Sequence, residues 1–399
     1  MNRRELLAEL AQDTPSKIVF LVMDGLGGIP GPDGKTEMEA AHTHNLDELA
    51  ARSILGLTDP ISPGITPGSG PSHLALFGYD PFEFQVGRGI LEALGIDFPL
   101  QPSDVAVRAN FCLVDEKGIL LDRRAGRLET AQAARLCHML RDIKLVGAEA
   151  LVEPVKEHRF VVVFRGEGLA PDVADTDPQR TGVSPLDPKA LKPEAQRTAL
   201  LARDFIRQAS ALLEGRAANM VMLRGFSTYP SIPSLSQLYK LRPAAIAVYP
   251  MYRGLARLVG MDILPAGGSL EDQLRTLRAN WGKYDFFYLH VKDLDRTGED
   301  GDFHGKVGAI EEVDRYLPAI DELGPDVLVV TGDHATPAVL KGHSWHPVPF
   351  LLRSPWCVPD GVTSFSERAC RLGSLGRFPA VDAMGLALAY AQKLIKYGA

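Results

Sequence analysis

Short apolar runs that are rich in Val, Ile, Leu and Phe recur along the chain, and stretches with helical periodicity separate them. Runs of this kind, without polar alternation, are typical of strands that are buried on both faces of a parallel sheet. The runs cover residues 17–23, 219–223, 244–249, 284–291 and 326–330. The predicted helices cover residues 46–53, 193–213 and 254–258, with a further helix that begins near residue 72. This alternation predicts an α/β fold.

The middle of the chain has a different pattern, because its predicted strands are short, close together and partly alternating. The elements are strands at 105–114 and 119–122 around a hairpin turn, a helix at 129–140, and strands at 150–153 and 159–164. This β-β-α-β-β order predicts a small α+β domain with an antiparallel sheet. We therefore expect a discontinuous α/β domain of residues 1–102 and 185–399, with an inserted cap domain of residues 103–184.

Residues that can bind metals follow three of the apolar runs. Asp24 follows the first run, Asp295 stands in the acidic segment after the run at 284–291, and Asp333 and His334 follow the last run. Ligands of open α/β sheets gather beyond the carboxyl ends of the strands. The segments at Asp24 and Asp333 are each also typical of an ordinary turn, and the acidic segment is also typical of a solvated loop. Together, three strands that bring carboxylate or imidazole groups to one edge predict a two-metal site, as used for in-line displacement.

Two serines, Ser69 and Ser72, lie where a loop rich in Gly and Pro leads into a predicted helix. A helix start offers backbone N–H groups and the positive end of the helix dipole to an anion. A serine hydroxyl placed there beside a divalent metal can attack phosphorus. Either serine could instead be a simple N-cap, worth about 1 kcal/mol to the helix. The segment alone leaves both alternatives open.

Composition and charge narrow the class of protein. The chain has 399 residues, 45% of them hydrophobic, and a net charge of -7, so no basic surplus indicates a nucleic-acid partner. No apolar run is long enough to span a membrane, and the N-terminal segment lacks the apolar core of a signal peptide. The four cysteines are scattered, without metal-binding spacing. We expect a cytoplasmic protein with reduced thiols, and the sequence leaves open whether it forms a homo-oligomer.

A series of motifs in a fixed order resembles one family over essentially the whole chain. The motifs are Asp24-Gly-Leu-Gly27, Thr66-Pro-Gly-Ser69, His73 to Pro81, Gly87-Arg-Gly89, Arg123-Arg-Ala-Gly-Arg127, Gly301-Asp-Phe303 with Gly305-Lys306, Thr331-Gly-Asp-His334, and His343-Ser344 with Pro347-Val-Pro349. Together they resemble the archaeal-type cofactor-independent phosphoglycerate mutases of the alkaline phosphatase superfamily. The resemblance implies a three-layer α/β/α phosphatase-like domain and an isomerase of glycolysis and gluconeogenesis that interconverts 3-phosphoglycerate and 2-phosphoglycerate.

The resemblance also implies roles for particular residues. Ser69 would be the nucleophile that becomes a phosphoserine. The first of two divalent cations, Mn²⁺ or Mg²⁺ with Zn²⁺ or Co²⁺ as alternatives, would be held by Asp24, Ser69, Asp333 and His334. The second would be held by Asp295 and His343, together with a histidine four residues after that aspartate. Glu299 stands at this last position, and glutamate can also bind Mg²⁺ or Mn²⁺.

Two features of the sequence depart from the family pattern. They leave open the identity of the second metal ion and the level of activity. Glu299 replaces the expected histidine, with His304 a weaker substitute, and Gly70 follows the nucleophile where the family usually has Asp. One alternative, motivated by these departures, is a binding protein that has lost catalysis. The other is a metal-dependent phosphomonoesterase or other phosphomutase on the same scaffold, which would differ in whether the phosphoserine is hydrolysed or its phosphoryl group is returned.

Four basic residues complete the predicted site. Lys292, at a strand end, would neutralise charge on the transferred phosphoryl group, although a surface lysine would have the same local pattern. Arg123, Arg124 and Arg127 would bind the carboxylate and phosphate of the substrate, because guanidinium groups bind both in bidentate fashion.

Overall fold

The computed structural model describes residues 3–31 and 33–398, apart from the side chain of Arg127, and its elements follow the predicted alternation. The strands in chain order are β1 (Ile18–Met23), β2 (Ile54–Asp59), β3 (Val105–Val114), β4 (Leu120–Asp122), β5 (Glu149–Lys156), β6 (Arg159–Arg165), β7 (Met220–Ser227), β8 (Pro243–Ile246), β9 (Asp262–Ile263), β10 (Phe286–Val291), β11 (Val327–Thr331), β12 (Val348–Arg353) and β13 (Gly376–Pro379).

The helices have a wide range of lengths. In chain order they are α1 (Arg3–Leu10), α2 (Glu37–Ala40), α3 (His44–Ala50), α4 (Ser69–Leu76), α5 (Arg88–Gly95), α6 (Thr130–Leu140), α7 (Gln196–Leu213), α8 (Leu235–Tyr239), α9 (Pro250–Leu258), α10 (Leu270–Asn280), α11 (Asp293–Asp300), α12 (Phe303–Asp321), α13 (Glu367–Cys370) and α14 (Ala383–Tyr390). Short 3₁₀ turns cover Ala125–Arg127, Pro193–Ala195 and Ala380–Asp382. Within the described residues, no helix is long and apolar enough to cross a membrane.

The larger of two compact units, Met1–Gln85 with Ile232–Ala399, is built on an eight-stranded sheet. Its strand order is β13-β2-β12-β11-β1-β10-β8-β9, and β12 runs antiparallel to both of its neighbours. The central strands β1, β10 and β11 are parallel and entirely buried. Helices α3, α10 and α12 share one apolar core with these strands, while α9 and α14 contact strands β8 and β11. The unbroken apolar runs of the sequence are therefore explained by helices on both faces of the sheet.

The smaller unit, Val86–Ser231, contains the predicted antiparallel sheet. Its strand order is β4-β3-β6-β5, and β7 also pairs with β3. A separate apolar core joins this sheet to α6 and α7. The unit extends further at both ends than the predicted domain of residues 103–184. It includes α5, α7 and β7. Strand β7 is hydrogen-bonded to β3 and not to the larger sheet, and α7 packs in the core of the smaller unit.

Candidate active site

The register of the three central strands brings the predicted metal ligands together. Met23 of β1 pairs with Val291 of β10, and Val22 pairs with Thr331 of β11, so the three strands end side by side. The next residues of each strand therefore leave the sheet at one edge. Asp24 and Asp333 have almost no exposed surface, although both are carboxylates. Buried carboxylates require ion pairs, hydrogen bonds or metals, which indicates a functional site at this edge.

Asp24, Asp333 and His334 form the first group that could hold a metal ion. Nε2 of His334 lies 3.4 Å from Oδ1 of Asp24 and 3.1 Å from Oδ2 of Asp333. The same nitrogen is 3.2 Å from Oγ of Ser69. Oδ1 of Asp24 is buried without a hydrogen-bond partner. A divalent cation between this unsatisfied carboxylate oxygen and the imidazole nitrogen would be bound by both atoms.

A second group consists of Asp295, His334 and His343. Nε2 of His343 lies 3.4 Å from Oδ1 of Asp295, and the rings of His334 and His343 stack with centroids 3.6 Å apart. Burial alone would lower the pKa of His343, but the hydrogen bond and the negative charge of Asp295, with smaller contributions from Pro67 and Asp333, together raise this pKa to about 9. Both groups are therefore rich in carboxylate and imidazole ligands and share His334.

Lys292 lies between the two groups. Its Nζ donates to Oδ2 of Asp24 at 3.0 Å, to Oδ2 of Asp295, and to the hydroxyl of Tyr252 at 3.1 Å. Burial alone would lower the pKa of Lys292, but Asp24 and Asp295 raise it above its ordinary value. Burial also favours the protonated form of Asp24, yet the charge of Lys292 and the hydrogen bond from His290 hold the pKa of Asp24 well below its usual range. The sequence-based alternative, a surface lysine, does not describe this half-buried side chain, which contacts two buried carboxylates.

Ser69 is the first residue of α4, and Gly68 takes the N-cap position without a side-chain cap bond. The hydroxyl of Ser69 is therefore not used as a cap and faces His334. Ser72 differs, because its hydroxyl donates to the carbonyl oxygens of Gly68 and Ser69 at 2.9 and 3.2 Å and lies 3.5 Å from Oδ2 of Asp333. Of the two serines found in the sequence, only Ser69 has its hydroxyl beside both an imidazole and the end of a helix.

Three buried residues beside the site were not singled out from the sequence. Nδ1 of His73 lies 3.1 Å from Oδ2 of Asp333 and 2.8 Å from the carbonyl oxygen of Ser69. Nε2 of His290 lies 3.2 Å from Oδ2 of Asp24, and the hydroxyl of Thr336 donates to Oδ1 of Asp295 at 2.6 Å. Two of them could have been found from their spacing in the sequence. His73 follows Ser69 by one helical turn, and Thr336 follows His334 by two residues.

Among the described residues, neither Glu299 nor His304 belongs to either group. Glu299 is on α11, one turn after Asp295, and its side chain is exposed. His304 is exposed in the first turn of α12. Neither predicted substitute is therefore among the residues that form the second group.

The predicted arginines are in the smaller unit. Arg123 forms two hydrogen bonds to the buried carboxylate of Asp177, at 3.0 and 2.7 Å. Arg124 is exposed, in a turn where the Asp122 carboxylate accepts from the backbone N–H groups of Arg124 and Gly126. The side chain of Arg127 lies outside the described residues. Arg124 is therefore the described arginine with the most accessible guanidinium in this turn.

Known proteins resemble the chain over its whole length. A relative from Thermus thermophilus, named probable 2,3-bisphosphoglycerate-independent phosphoglycerate mutase, is 52% identical over 406 residues and is matched over 100% of both chains. A relative of the same name from Thermotoga maritima is 50% identical, again over 100% of both chains. The family model for 2,3-bisphosphoglycerate-independent phosphoglycerate mutase matches residues 50–219.

Solved structures share the fold. A protein from Pyrococcus horikoshii superposes with a TM-score of 0.83 at 28% identity, covering 96% of this chain and 99% of its own. The cofactor-independent phosphoglycerate mutase from Thermoplasma acidophilum superposes with a TM-score of 0.70 at 29% identity, covering 94% and 100%. The predicted α/β fold class is confirmed by these matches and by the observed sheet. With relatives of this identity over its full length, the chain belongs to the 2,3-bisphosphoglycerate-independent phosphoglycerate mutase family.

Proposed function

We propose that this protein interconverts 3-phosphoglycerate and 2-phosphoglycerate through a phosphoserine at Ser69. The observation that carries the proposal is the position of the Ser69 hydroxyl, 3.2 Å from His334 Nε2, the nitrogen that also faces the Asp24 and Asp333 carboxylates. A nucleophile adjacent to a cation-binding cluster is the arrangement that phosphoryl transfer through a covalent intermediate requires.

The residues at the site fit two divalent cations. Asp24, Asp333 and His334 with the Ser69 oxygen would hold one, and Asp295 and His343 the other. Oxygen-rich sets with imidazole suit Mn²⁺ and Mg²⁺, with Zn²⁺ and Co²⁺ as alternatives. Glu299, one turn from Asp295, stays our candidate for an additional ligand of the second ion. Bound cations would favour the deprotonated serine hydroxyl and offset the charge of the phosphoryl oxygens.

The reaction proposed for these residues has two mirrored halves. In the first, the Ser69 hydroxyl loses its proton, a bond forms between its oxygen and phosphorus, and the bond from phosphorus to O3 of glycerate breaks as O3 takes up a proton. In the second, O2 of the retained glycerate attacks the phosphoserine and Ser69 leaves as the acceptor of a proton. No oxidant, reductant or second phosphate donor is consumed, in agreement with independence from 2,3-bisphosphoglycerate.

Lys292 and the arginines have separate tasks in this proposal. The Lys292 ammonium would compensate the charges of Asp24 and Asp295 and of the transferred group, because it is already shared between these carboxylates. Arg124 would bind the carboxylate or phosphate of glycerate phosphate, with Arg123 and Arg127 as neighbours. Arg123 keeps fewer free donors, because its bidentate pair with Asp177 uses Nε and Nη2.

The proposal is tested by following 3-phosphoglycerate by phosphorus NMR with the full-length protein, added Mn²⁺ and no bisphosphoglycerate. We expect 2-phosphoglycerate to appear and free phosphate to stay a minor product. Free phosphate as the main product would instead indicate a phosphomonoesterase, since hydrolysis of the phosphoserine and its return to glycerate differ only in the acceptor. Absence of both products would indicate a binding protein.

A further inference from the structure

Lys306 is a lysine without exposed surface whose ammonium group contacts the backbone of the candidate active site. Its Nζ donates to the carbonyl oxygens of Gly27 and Thr336, at 3.1 and 2.8 Å. These two carbonyls belong to the segments that follow Asp24 and His334 in the chain. A buried ammonium has to be hydrogen-bonded and charge-compensated, so this lysine connects two ligand-bearing segments at the point where they leave the sheet.

Buried carboxylates compensate the charge of Lys306 and accept backbone N–H groups of the same two segments. Oε1 of Glu37 lies 4.0 Å from Nζ of Lys306 and accepts the backbone N–H of Ala338 at 2.8 Å. Glu367 accepts the backbone N–H of Gly28 at 2.7 Å. The lysine is thus part of a buried network that reaches each of the two ligand-bearing segments.

Thr336 connects this network to the ligands themselves. Its single hydroxyl hydrogen is donated to Oδ1 of Asp295 at 2.6 Å, and its oxygen lies 3.0 Å from Nδ1 of His334. Because the hydroxyl has no second hydrogen to give, Nδ1 of His334 has to be the donor in that contact. Nε2 of His334 is then the nitrogen with the lone pair, and it is the one that faces Ser69, Asp24 and Asp333.

We propose that Lys306 and Thr336 are positioning residues for the two metal groups. Lys306 fixes the backbone of Thr336, and the Thr336 hydroxyl holds His334 in the tautomer whose Nε2 is available to the first ion. The same hydroxyl orients Asp295 for the second ion. His334 then serves the first group alone, because its Nδ1 is used by Thr336, and the second group retains Asp295 and His343. This inference rests on the proposed metal centre.

The test is a calorimetric titration of the metal-stripped, full-length protein with Mn²⁺, supported by kcat and KM. Thr336→Val keeps the shape of the side chain and removes the hydroxyl, and we expect it to weaken Mn²⁺ binding by about 10- to 100-fold, the usual effect of losing a partner of a metal ligand. Lys306→Met should weaken binding in the same direction, and Thr336→Ser should restore it. The double variant should be no worse than the more severe single variant, because both residues act on the same groups.

A second buried lysine provides a matched control. Lys393 is also fully buried, and its Nζ donates to the carbonyl oxygen of Thr14 at 2.8 Å and lies 3.6 Å from Asp285. Asp285 precedes β10, so this lysine lies at the opposite end of the strand from Lys292, roughly 20 Å away. Lys393→Met should lower Tm without a change in Mn²⁺ affinity.

The outcomes separate this inference from the proposed function. If Thr336→Val binds Mn²⁺ within twofold of the wild type, the network is only structural and the inference is overturned, whether or not Lys306→Met folds. If the wild-type protein itself binds no Mn²⁺, the metal centre and the inference fail together, and the wild-type titration alone reveals this.

Discussion

Among single residues, the proposed chemistry depends most directly on Ser69, whose hydroxyl is neither a helix cap nor bonded within its own helix. We expect Ser69→Ala to lower kcat by at least about 10⁴-fold, because removal of a nucleophile removes the covalent path. Mn²⁺ should still bind, since the carboxylates and imidazoles remain. The rate is measured from the conversion of 3-phosphoglycerate, and the phosphoserine by mass spectrometry after brief exposure to substrate.

Ser72→Ala is the matched control for the Ser69 variant. The Ser72 hydroxyl donates mainly to backbone carbonyls one turn earlier and lies at the long distance of 3.5 Å from Asp333, so its loss should cost some stability of α4 and leave most of the turnover. A Ser72→Ala protein that is inactive while Ser69→Ala turns over would reverse the assignment of the nucleophile.

Glu299 is the candidate for the third protein ligand of the second ion. The exposed glutamate follows Asp295 by one helical turn, and neighbours at this spacing can reach a shared ligand. We expect Glu299→Ala to reduce bound metal from two ions towards one, and His304→Ala to leave it at two. Elemental analysis of dialysed protein measures the stoichiometry. The opposite order of effects would assign the position to His304.

His343 gives the metal-free protein a pH dependence with a definite sign. Its folded-state pKa is raised to about 9 by Asp295, above an unfolded value of about 6.5. The protonated ring therefore stabilises the fold fully below about pH 6.5, and this stabilisation is lost as pH rises towards 9. In chelator, the free energy of unfolding of the wild type should exceed that of His343→Gln by more at about pH 6 than at about pH 9.5. Thermal or urea denaturation at both pH values measures the difference, and an equal gap would contradict the ion pair.

Residue types and strand ends predicted Asp24, Asp333 and His334 at one edge, and the structure places them together. The same reasoning could not find His290, which lies inside β10 among apolar residues and reaches Asp24 only through the pairing of β1 with β10. The proposed role of Thr336 could not be predicted either, because it depends on a hydrogen bond to Asp295, which is 41 positions away in the chain. Ligands can be predicted locally, whereas the groups that orient them depend on long-range contacts.

At the scale of elements, the apolar runs located the central strands well, since burial on both faces leaves a continuous apolar signal. Boundaries were less exact: the predicted strand at 219–223 continues to Ser227, and the predicted helix at 254–258 begins at Pro250. These extensions include polar residues such as Arg224 and Arg253. Because polar residues interrupt the apolar pattern, the sequence predicts the ends of these elements too early or too late.

Two helical glycines offer a contrast in packing. A Cβ at Gly89 of α5 would lie 2.2 Å from the carbonyl oxygen of Ala106, whereas a Cβ at Gly308 of α12 meets open space. We expect Gly89→Ala to lower the free energy of unfolding by about 1–3 kcal/mol or more, because the helix cannot stay this close to β3. Gly308→Ala should raise it by about 0.5–1 kcal/mol through helix propensity. Urea denaturation followed by circular dichroism measures both, and equal effects of the two substitutions would contradict the close approach.

For the whole molecule, the division into units was the part least accessible from sequence. The α/β rhythm after residue 187 assigned the helix at 193–213 and the strand at 219–223 to the larger domain. The structure has both in the smaller unit, because β7 completes the sheet beside β3 and α7 covers its core. Periodicity identifies elements, but it carries no information on which of two sheets a strand joins. The family resemblance was more informative at this scale, since its motifs are spread over the full length.

The role proposed for the smaller unit is tested most directly at Arg124. Its side chain is exposed, in a turn whose backbone is fixed by the Asp122 carboxylate, so its truncation removes a guanidinium without removing a structural ion pair. We expect Arg124→Ala to raise KM for 3-phosphoglycerate by about tenfold or more, the loss of one charge-assisted contact. If the same arginine also retains glycerate between the two half-reactions, the variant should release a larger share of free phosphate.

Arg165→Ala provides the comparison for Arg124, because Arg165 is held bidentately by the buried carboxylate of Asp104 and its loss should affect stability first. Product ratios by phosphorus NMR, KM and Tm are measured for both variants at saturating Mn²⁺. A raised KM in Arg165→Ala, with Arg124→Ala like the wild type, would move the substrate contact away from the turn at 122–127. Equal KM values and product ratios in all three proteins would mean that binding of glycerate does not depend on this turn.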